Sequence, residues 1–156
     1  NRIKKNDILY ELNGEIVLSE RSGGETIRYY YLDKSIVGFR FKGDKYYYQK
    51  NLLGDITEIY DDMGNLVGEY AYDAFGVCEV LTDLNGIASV NPFRFRSRYF
   101  DRETGFYYFE KRYYDPNTGR FINAFELKNT SAPNAQNMYL CHSNNVNDKN
   151  LRTFWA

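Results

Sequence analysis

The chain has 156 residues, 43% of them hydrophobic and 18% aromatic, with 16 Tyr and 11 Phe against a single Trp. That length and apolar content allow one domain with a real core and exclude a disordered chain. With 20 basic and 21 acidic residues the net charge is -1, which excludes a global electrostatic drive toward nucleic acid or an anionic bilayer. No run reaches the roughly 18 apolar residues that cross a bilayer.

Tyr and Phe suit the pleated, half-buried surface of a sheet, and the chain reads as short strands from Ile8 to about Ile122. Residues Ile8-Leu9-Tyr10-Glu11-Leu12 and Glu15-Ile16-Val17-Leu18 flank Asn13-Gly14, a two-residue hairpin signal. Looser bends follow at Tyr31-Leu32-Asp33 with Gly38 and at Tyr48-Gln49-Lys50-Asn51 with Gly54. From Tyr60 the bend becomes regular. An aromatic, an aspartate and a nearby glycine recur as Tyr60-Asp61 with Gly64, Tyr72-Asp73 with Gly76, Phe100-Asp101 with Gly105 and Tyr114-Asp115 with Gly119. In each copy the carboxylate is expected to accept a backbone N–H two residues on, and the glycine to take a positive φ. Successive copies lie 12, 28 and 14 residues apart, so the long gap reads as one unit that lacks its signature. A hairpin of this size cannot bury its apolar face alone and must stack on its neighbours.

The clearest hairpin runs from Asn91-Pro92 to Gly119, with strands near Phe93 to Phe100 and Phe106 to Tyr114. Along Phe93-Arg94-Phe95-Arg96-Ser97-Arg98-Tyr99 the arginines alternate with mostly aromatic residues, which predicts one cationic and one aromatic face. The turn Asp101 to Gly105 then sets Arg96 opposite Glu110 and Arg98 opposite Tyr108, an ion pair and a cation–π contact. After Asn123 the alternation fails. The sequence therefore divides into a hairpin region, 1–122, and an Asn-rich end, 123–156, in which Ser131 to Leu140 predicts a short helix beginning near Pro133.

Catalytic arrangements find little footing. A paired-aspartate site among Asp61, Asp62, Asp73, Asp101 and Asp115 competes with the simpler role of each as a turn residue. Cys141 and His142 are adjacent and diverge in either a strand or a helix. His142 is the only histidine, and with Cys78 and Cys141 it has no metal-ligand spacing. Nucleotide-binding and nucleophile-elbow glycine motifs are absent. The expectation is no enzyme, no cofactor and no metal. The arginine and aromatic strand would suit single-stranded nucleic acid, but it suits hairpin packing better in a chain of this charge.

Tyr72-Asp73-Ala74-Phe75-Gly76, Asn91-Pro92-Phe93-Arg94-Phe95-Arg96 and Arg112 to Asn123 resemble the RHS family of YD-repeat proteins, in particular the RHS repeat-associated core segment of bacterial polymorphic-toxin proteins. The Asn-rich stretch from Met138 to Asn147 is similar to the end of that core. The resemblance implies an all-β ribbon of antiparallel hairpins spiralling into part of a hollow shell, with the core end curling in as a plug around a toxin-like cargo. It also implies a secreted or cell-surface setting and the rest of the shell as partner. Family self-cleavage is not carried over, because Arg120-Phe121-Ile122-Asn123-Ala124-Phe125-Glu126 lacks the usual acid and Asn144-Asn145-Val146 lacks the usual proline. The first residue is not Met, and the expectation is a piece of a longer shell. The alternative is an adhesive ribbon whose exposed tyrosines bind surface glycans.

Overall fold

The computed structural model describes residues 2–109 and 112–122. The expected helix at Ser131 to Leu140, Cys141, His142 and Glu110 lie outside the described residues. Nine strands form one antiparallel sheet in chain order: β1 (Arg2–Lys5), β2 (Ile8–Asn13), β3 (Ile16–Ser22), β4 (Glu25–Leu32), β5 (Ser35–Phe41), β6 (Asp44–Lys50), β7 (Ile56–Asp61), β8 (Leu66–Tyr72) and β9 (Cys78–Asp83). After a 3-10 turn and one short helix, α1 (Ile87–Val90), a second sheet follows, with β10 (Tyr99–Asp101), β11 (Phe106–Phe109), β12 (Arg112–Asp115) and β13 (Arg120–Phe121).

The two-residue period of a strand sorts the side chains. Ile27, Tyr29, Phe39, Phe41 and Tyr46 turn inward and are buried, while Arg28, Arg40, Lys45 and Tyr47 between them face out. Ile56, Ile59, Val67 and Tyr70 extend this core, and Ile87, Ala88 and Phe93 cover it. Phe95, Tyr107, Tyr114 and Phe121 form a second cluster beneath the small sheet. The register slips at five points, after Glu11, Tyr30, Gln49, Ile59 and Glu69, and each bulge adds local bend and twist.

The large sheet curls. Laid flat, β2 and β8 would be roughly 29 Å apart at 4.8 Å per strand. Yet Tyr10 on β2 touches Tyr99 on β10, with ring centroids 5.9 Å apart, and Gly76, just beyond β8, accepts the Tyr107 hydroxyl of β11 at 3.0 Å. Neighbouring strands of the small sheet thus reach both flanks of the large one, so the small sheet lies on the concave side.

Three expectations are corrected here. Gly38 is not a bend residue: the β4–β5 turn is made by Asp33 and Lys34, with φ of 46° and 66°, and Gly38 lies within β5, where a Cβ would run into the carbonyl of Tyr46. The long gap between Tyr72 and Phe100 hides no plain repeat; it holds β9, α1 and a crossover beneath the large sheet. Residues Phe93 to Phe100 do not form one strand. Phe93 makes a single bridge to Tyr99, and Arg96 and Ser97 both have φ of 54°. The crossover spends backbone groups on the loop ahead of β7, with Ile56 N–H donating to the Arg94 carbonyl at 3.2 Å and Arg96 N–H to Asp55 Oδ1 at 2.8 Å. Consequently Tyr99, not Arg98, stands opposite Tyr108. The Arg98 guanidinium lies 5.3 Å from the Phe109 ring centroid, and Arg96 turns to Asp55 at 3.7 Å and to the Leu53 carbonyl at 2.8 Å.

Candidate functional site at the junction of the two sheets

The bends are the first component of the junction. Asp61 Oδ1 accepts the N–H groups of Met63 at 3.0 Å and Asn65 at 2.8 Å, while its carbonyl accepts Gly64 N–H at 3.1 Å. Asp73 repeats this loop with Phe75 at 2.8 Å, Val77 at 2.9 Å and Gly76 at 3.2 Å. Asn51 makes it a third time, with Leu53 at 2.9 Å, Asp55 at 3.0 Å and Gly54 at 3.0 Å. The donors around Asp61, led by Asn65, hold its carboxyl below the usual carboxylate range. Gly64 and Gly76 have φ of 84° and 97°. Asp101 and Asp115 head wider loops: Asp101 accepts Glu103 N–H at 3.2 Å and Asp115 accepts Asn117 N–H at 2.9 Å, and Gly105 and Gly119 have φ of 76° and 66°. The aspartates are therefore dispersed among separate bends rather than gathered in a cleft.

The aromatic partners of these bends tie elements together. Tyr72 donates its hydroxyl to the Ile56 carbonyl at 2.6 Å and Tyr114 to the Phe75 carbonyl at 2.9 Å, while Phe100 packs on Tyr107 at 5.0 Å. Tyr60 instead bonds Glu58 at 2.6 Å on the outer face. Inward hydroxyls elsewhere follow the same rule, with Tyr31 on the Val17 carbonyl at 2.8 Å and Tyr70 on the Ala88 carbonyl at 2.6 Å.

Asn91 is the pivot of the crossover and is fully buried. Its Oδ1 accepts the Tyr48 hydroxyl at 2.6 Å and Phe93 N–H at 3.2 Å, and its Nδ2 donates to the Tyr70 hydroxyl at 3.1 Å and the Phe93 carbonyl at 2.6 Å. All four positions of the amide are used. Arg94, also buried, lies between the rings of Tyr70 and Phe100, 5.2 and 4.9 Å from their centroids. Its side chain also donates to the Asn91 carbonyl at 3.4 Å. Burial pushes the Cys78 thiol up despite the Arg94 guanidinium beside it. The roles of Asn91, Arg94, Asp55 and Tyr48 are not legible in the sequence, because their partners are 41 to 43 residues away or lie across the core.

At the other flank Asp101 pairs with Lys5, and Glu103 accepts Asn6 Nδ2 at 2.6 Å. Between these flanks Glu20 is buried on β3 and accepts the Tyr99 hydroxyl at 2.6 Å; Tyr99 in turn meets the Tyr10 hydroxyl at 3.1 Å. Burial raises the Glu20 carboxyl, and the Tyr99 bond opposes that rise. Among the described residues no three His, Cys, Asp or Glu side chains are placed to hold a metal ion, and no helix is long and apolar enough to cross a membrane. What this arrangement does chemically is hold: Asn91, Arg94, Glu20 and Tyr70 serve contacts between wall and crossover, and the hydroxyls of Tyr31 and Tyr72 tie strands within the wall.

Residues 16–147 match the family model described as Teneurin YD-shell. Over 79 residues the chain is 39% identical to the tRNA nuclease WapA of Bacillus subtilis, covering 51% of this chain and 3% of that protein. It is 34% identical over 88 residues to the tRNA3(Ser)-specific nuclease WapA of Bacillus spizizenii, covering 56% of this chain and 4% of that one. The crystal structure of TcdB2-TccC3 shares the fold with a TM-score of 0.67 at 20% identity, over 92% of this chain and 7% of that chain. The sequence spans only a few per cent of these relatives' lengths. Its repeated aspartate bends, its curled nine-stranded sheet and the match over most of its residues agree: the chain belongs to the Teneurin YD-shell family and is a section of such a shell.

Proposed function

We propose that this section serves as a stretch of wall with the adjoining in-folded strands, in a secreted or surface-displayed protein whose shell encloses a toxin-like C-terminal cargo. The observation that carries the reading is the direction of the crossover. Residues 91–109 and 112–121 lie on the concave side of the large sheet, joined to it at Lys5, Glu20, Asp55 and the loop from Asp73 to Val77, so the last described strand is on the inner side. The WapA relatives, named as tRNA nucleases, are in keeping with a cargo carried elsewhere in the polypeptide. Within this section the titratable groups serve bends and packing, and the proposed role is structural rather than catalytic.

The test is limited proteolysis of the intact protein that contains this section. Under this reading the region after the shell survives protease while the shell is folded and is cut once denaturant opens it. Cleavage of that region at the same rate in the intact protein as in isolation would overturn the proposal. An adhesive role for concave tyrosines is not favoured, since Tyr29, Tyr70, Tyr107 and Tyr114 are buried at 0 to 4% exposure.

A further inference from the structure

Tyrosines meet one another at several points in the two sheets, and the pair on the small sheet is both close and open to solvent. Register sets Tyr108 on β11 opposite Tyr113 on β12, and their ring centroids are 5.3 Å apart at an interplanar angle of 54°. Tyr108 is 40% exposed and Tyr113 is half-buried. The other pairs are occupied or closed. Tyr107 and Tyr114, opposite one another in the next register, are fully buried with their hydroxyls on wall carbonyls. Tyr10 and Tyr99 meet hydroxyl to hydroxyl with rings at 73°, and Tyr99 donates to the buried Glu20. Tyr70 and Tyr72 are 6.3 Å apart, and their hydroxyls bond the Ala88 and Ile56 carbonyls. On the outer face of the wall Tyr47 stands opposite Tyr60, whose hydroxyl is turned to Glu58.

We infer that Tyr108 and Tyr113 are an oxidative coupling site, joined as a dityrosine by hydrogen peroxide acting through a haem peroxidase. Each phenol gives up one electron and its hydroxyl proton. The two radicals then form a bond between one ortho carbon of each ring, and the hydrogens on those carbons are replaced by hydrogens on the phenol oxygens as the rings become aromatic again. The balance is two hydrogens lost from the protein and one peroxide reduced to two waters. The soft torsion of a phenol about its Cβ–Cγ bond lets the two ortho carbons come together from the observed separation. Tyr108 is the ring an oxidant reaches, and Tyr113, held opposite it, traps the radical ahead of a second molecule because an oriented neighbour acts at a high effective concentration. The bond fastens the two middle strands of a sheet whose outer members, β10 and β13, have three and two residues.

The test is treatment of the dilute full chain with horseradish peroxidase and hydrogen peroxide, followed by intact mass and tryptic mapping. Trypsin cuts after Lys111 and Arg112, so the two tyrosines fall on separate peptides, 103–111 and 113–120. The expected product is a monomer lighter by two hydrogens in which these peptides stay joined. Tyr108→Phe and, separately, Tyr113→Phe should each lower the joined peptide by about tenfold or more, the advantage of an oriented pair over random encounter, while Tyr47→Phe leaves it unchanged. Both replacements keep the ring, and an unaltered circular dichroism spectrum shows that the sheets remain. No monomeric coupled product, coupling chiefly between copies, or a main link between Tyr47 and Tyr60 would overturn the inference. So would the joined peptide persisting in either variant, which would place the bond on Tyr107 or Tyr114 instead.

Discussion

Gly64 and Gly76 occupy matching positions in matching loops and differ in what surrounds them. A Cβ at Gly64 meets open space, whereas one at Gly76 would approach the Phe95 ring within 2.6 Å. Gly64→Val therefore adds backbone strain alone, about 1–3 kcal/mol, while Gly76→Val adds that strain and displaces Phe95 from the second core. Urea midpoints at constant m-value should place Gly76→Val well below Gly64→Val; equal midpoints would mean that Phe95 yields freely. Asn91 represents the opposite kind of residue, in which the side chain rather than its absence is required. Asn91→Ala strands the Tyr48 hydroxyl and the Phe93 backbone, and with unsatisfied buried groups costing about 1–3 kcal/mol each, a loss of about 3 kcal/mol or more is expected in the same assay. The Asp and Gly of a bend are local chemistry and visible in a sequence. The role of Asn91 is not, because the reason for it consists of two tyrosines from β6 and β8.

At the scale of elements, periodicity served the wall well and failed at the crossover. In the central stretches of β4 to β6 inward and outward residues alternate up to the bulges after Tyr30 and Gln49, and the strands can be read from that pattern. Phe93 to Tyr99 shows equally good alternation, but Arg94 is buried between two rings and Arg96 is turned by Asp55, so polar residues there do not mark a solvent face. The loop from Asn51 to Asp55 was legible only as a loose bend because Asn takes the place of Asp, although its amide oxygen accepts the same two N–H groups. Glu20 shows how an inward polar residue can govern the seam between elements. Its folded-state pKa is raised by burial, so the stability it contributes is present in full below the unfolded value and is lost as pH rises through the folded value. Tyr99, Tyr10, Tyr29 and Arg102 are the groups that face or influence it. Glu20→Gln keeps the size and the acceptor without the charge. The variant should melt above the parent at pH 8, and the difference should shrink as the pH is lowered toward the usual carboxylate range; a gap that is constant with pH would remove Glu20 ionisation as its cause.

Over the whole molecule, two apolar clusters meet through few side chains. Tyr72 packs against both, its ring 6.3 Å from Tyr70 and 6.0 Å from Phe95, and Phe95 carries the contact on to Tyr107 at 5.7 Å and Tyr114 at 6.4 Å. A four-stranded sheet whose last strand has two residues is too small to persist on its own core, so its order is borrowed from the wall through this bridge and the Lys5, Glu20 and Asp55 contacts. Phe95→Ala should cost about 3–5 kcal/mol, as expected for an emptied aromatic site, and the loss should be uneven. In hydrogen exchange, amides of β10 to β13 should lose protection while those of β4 to β7 keep most of theirs, because the wall retains its own bulged, inward-packed strands. A uniform loss over both sheets would instead make wall and in-folded strands one cooperative unit, and the interior of the shell could then not open without unravelling the wall.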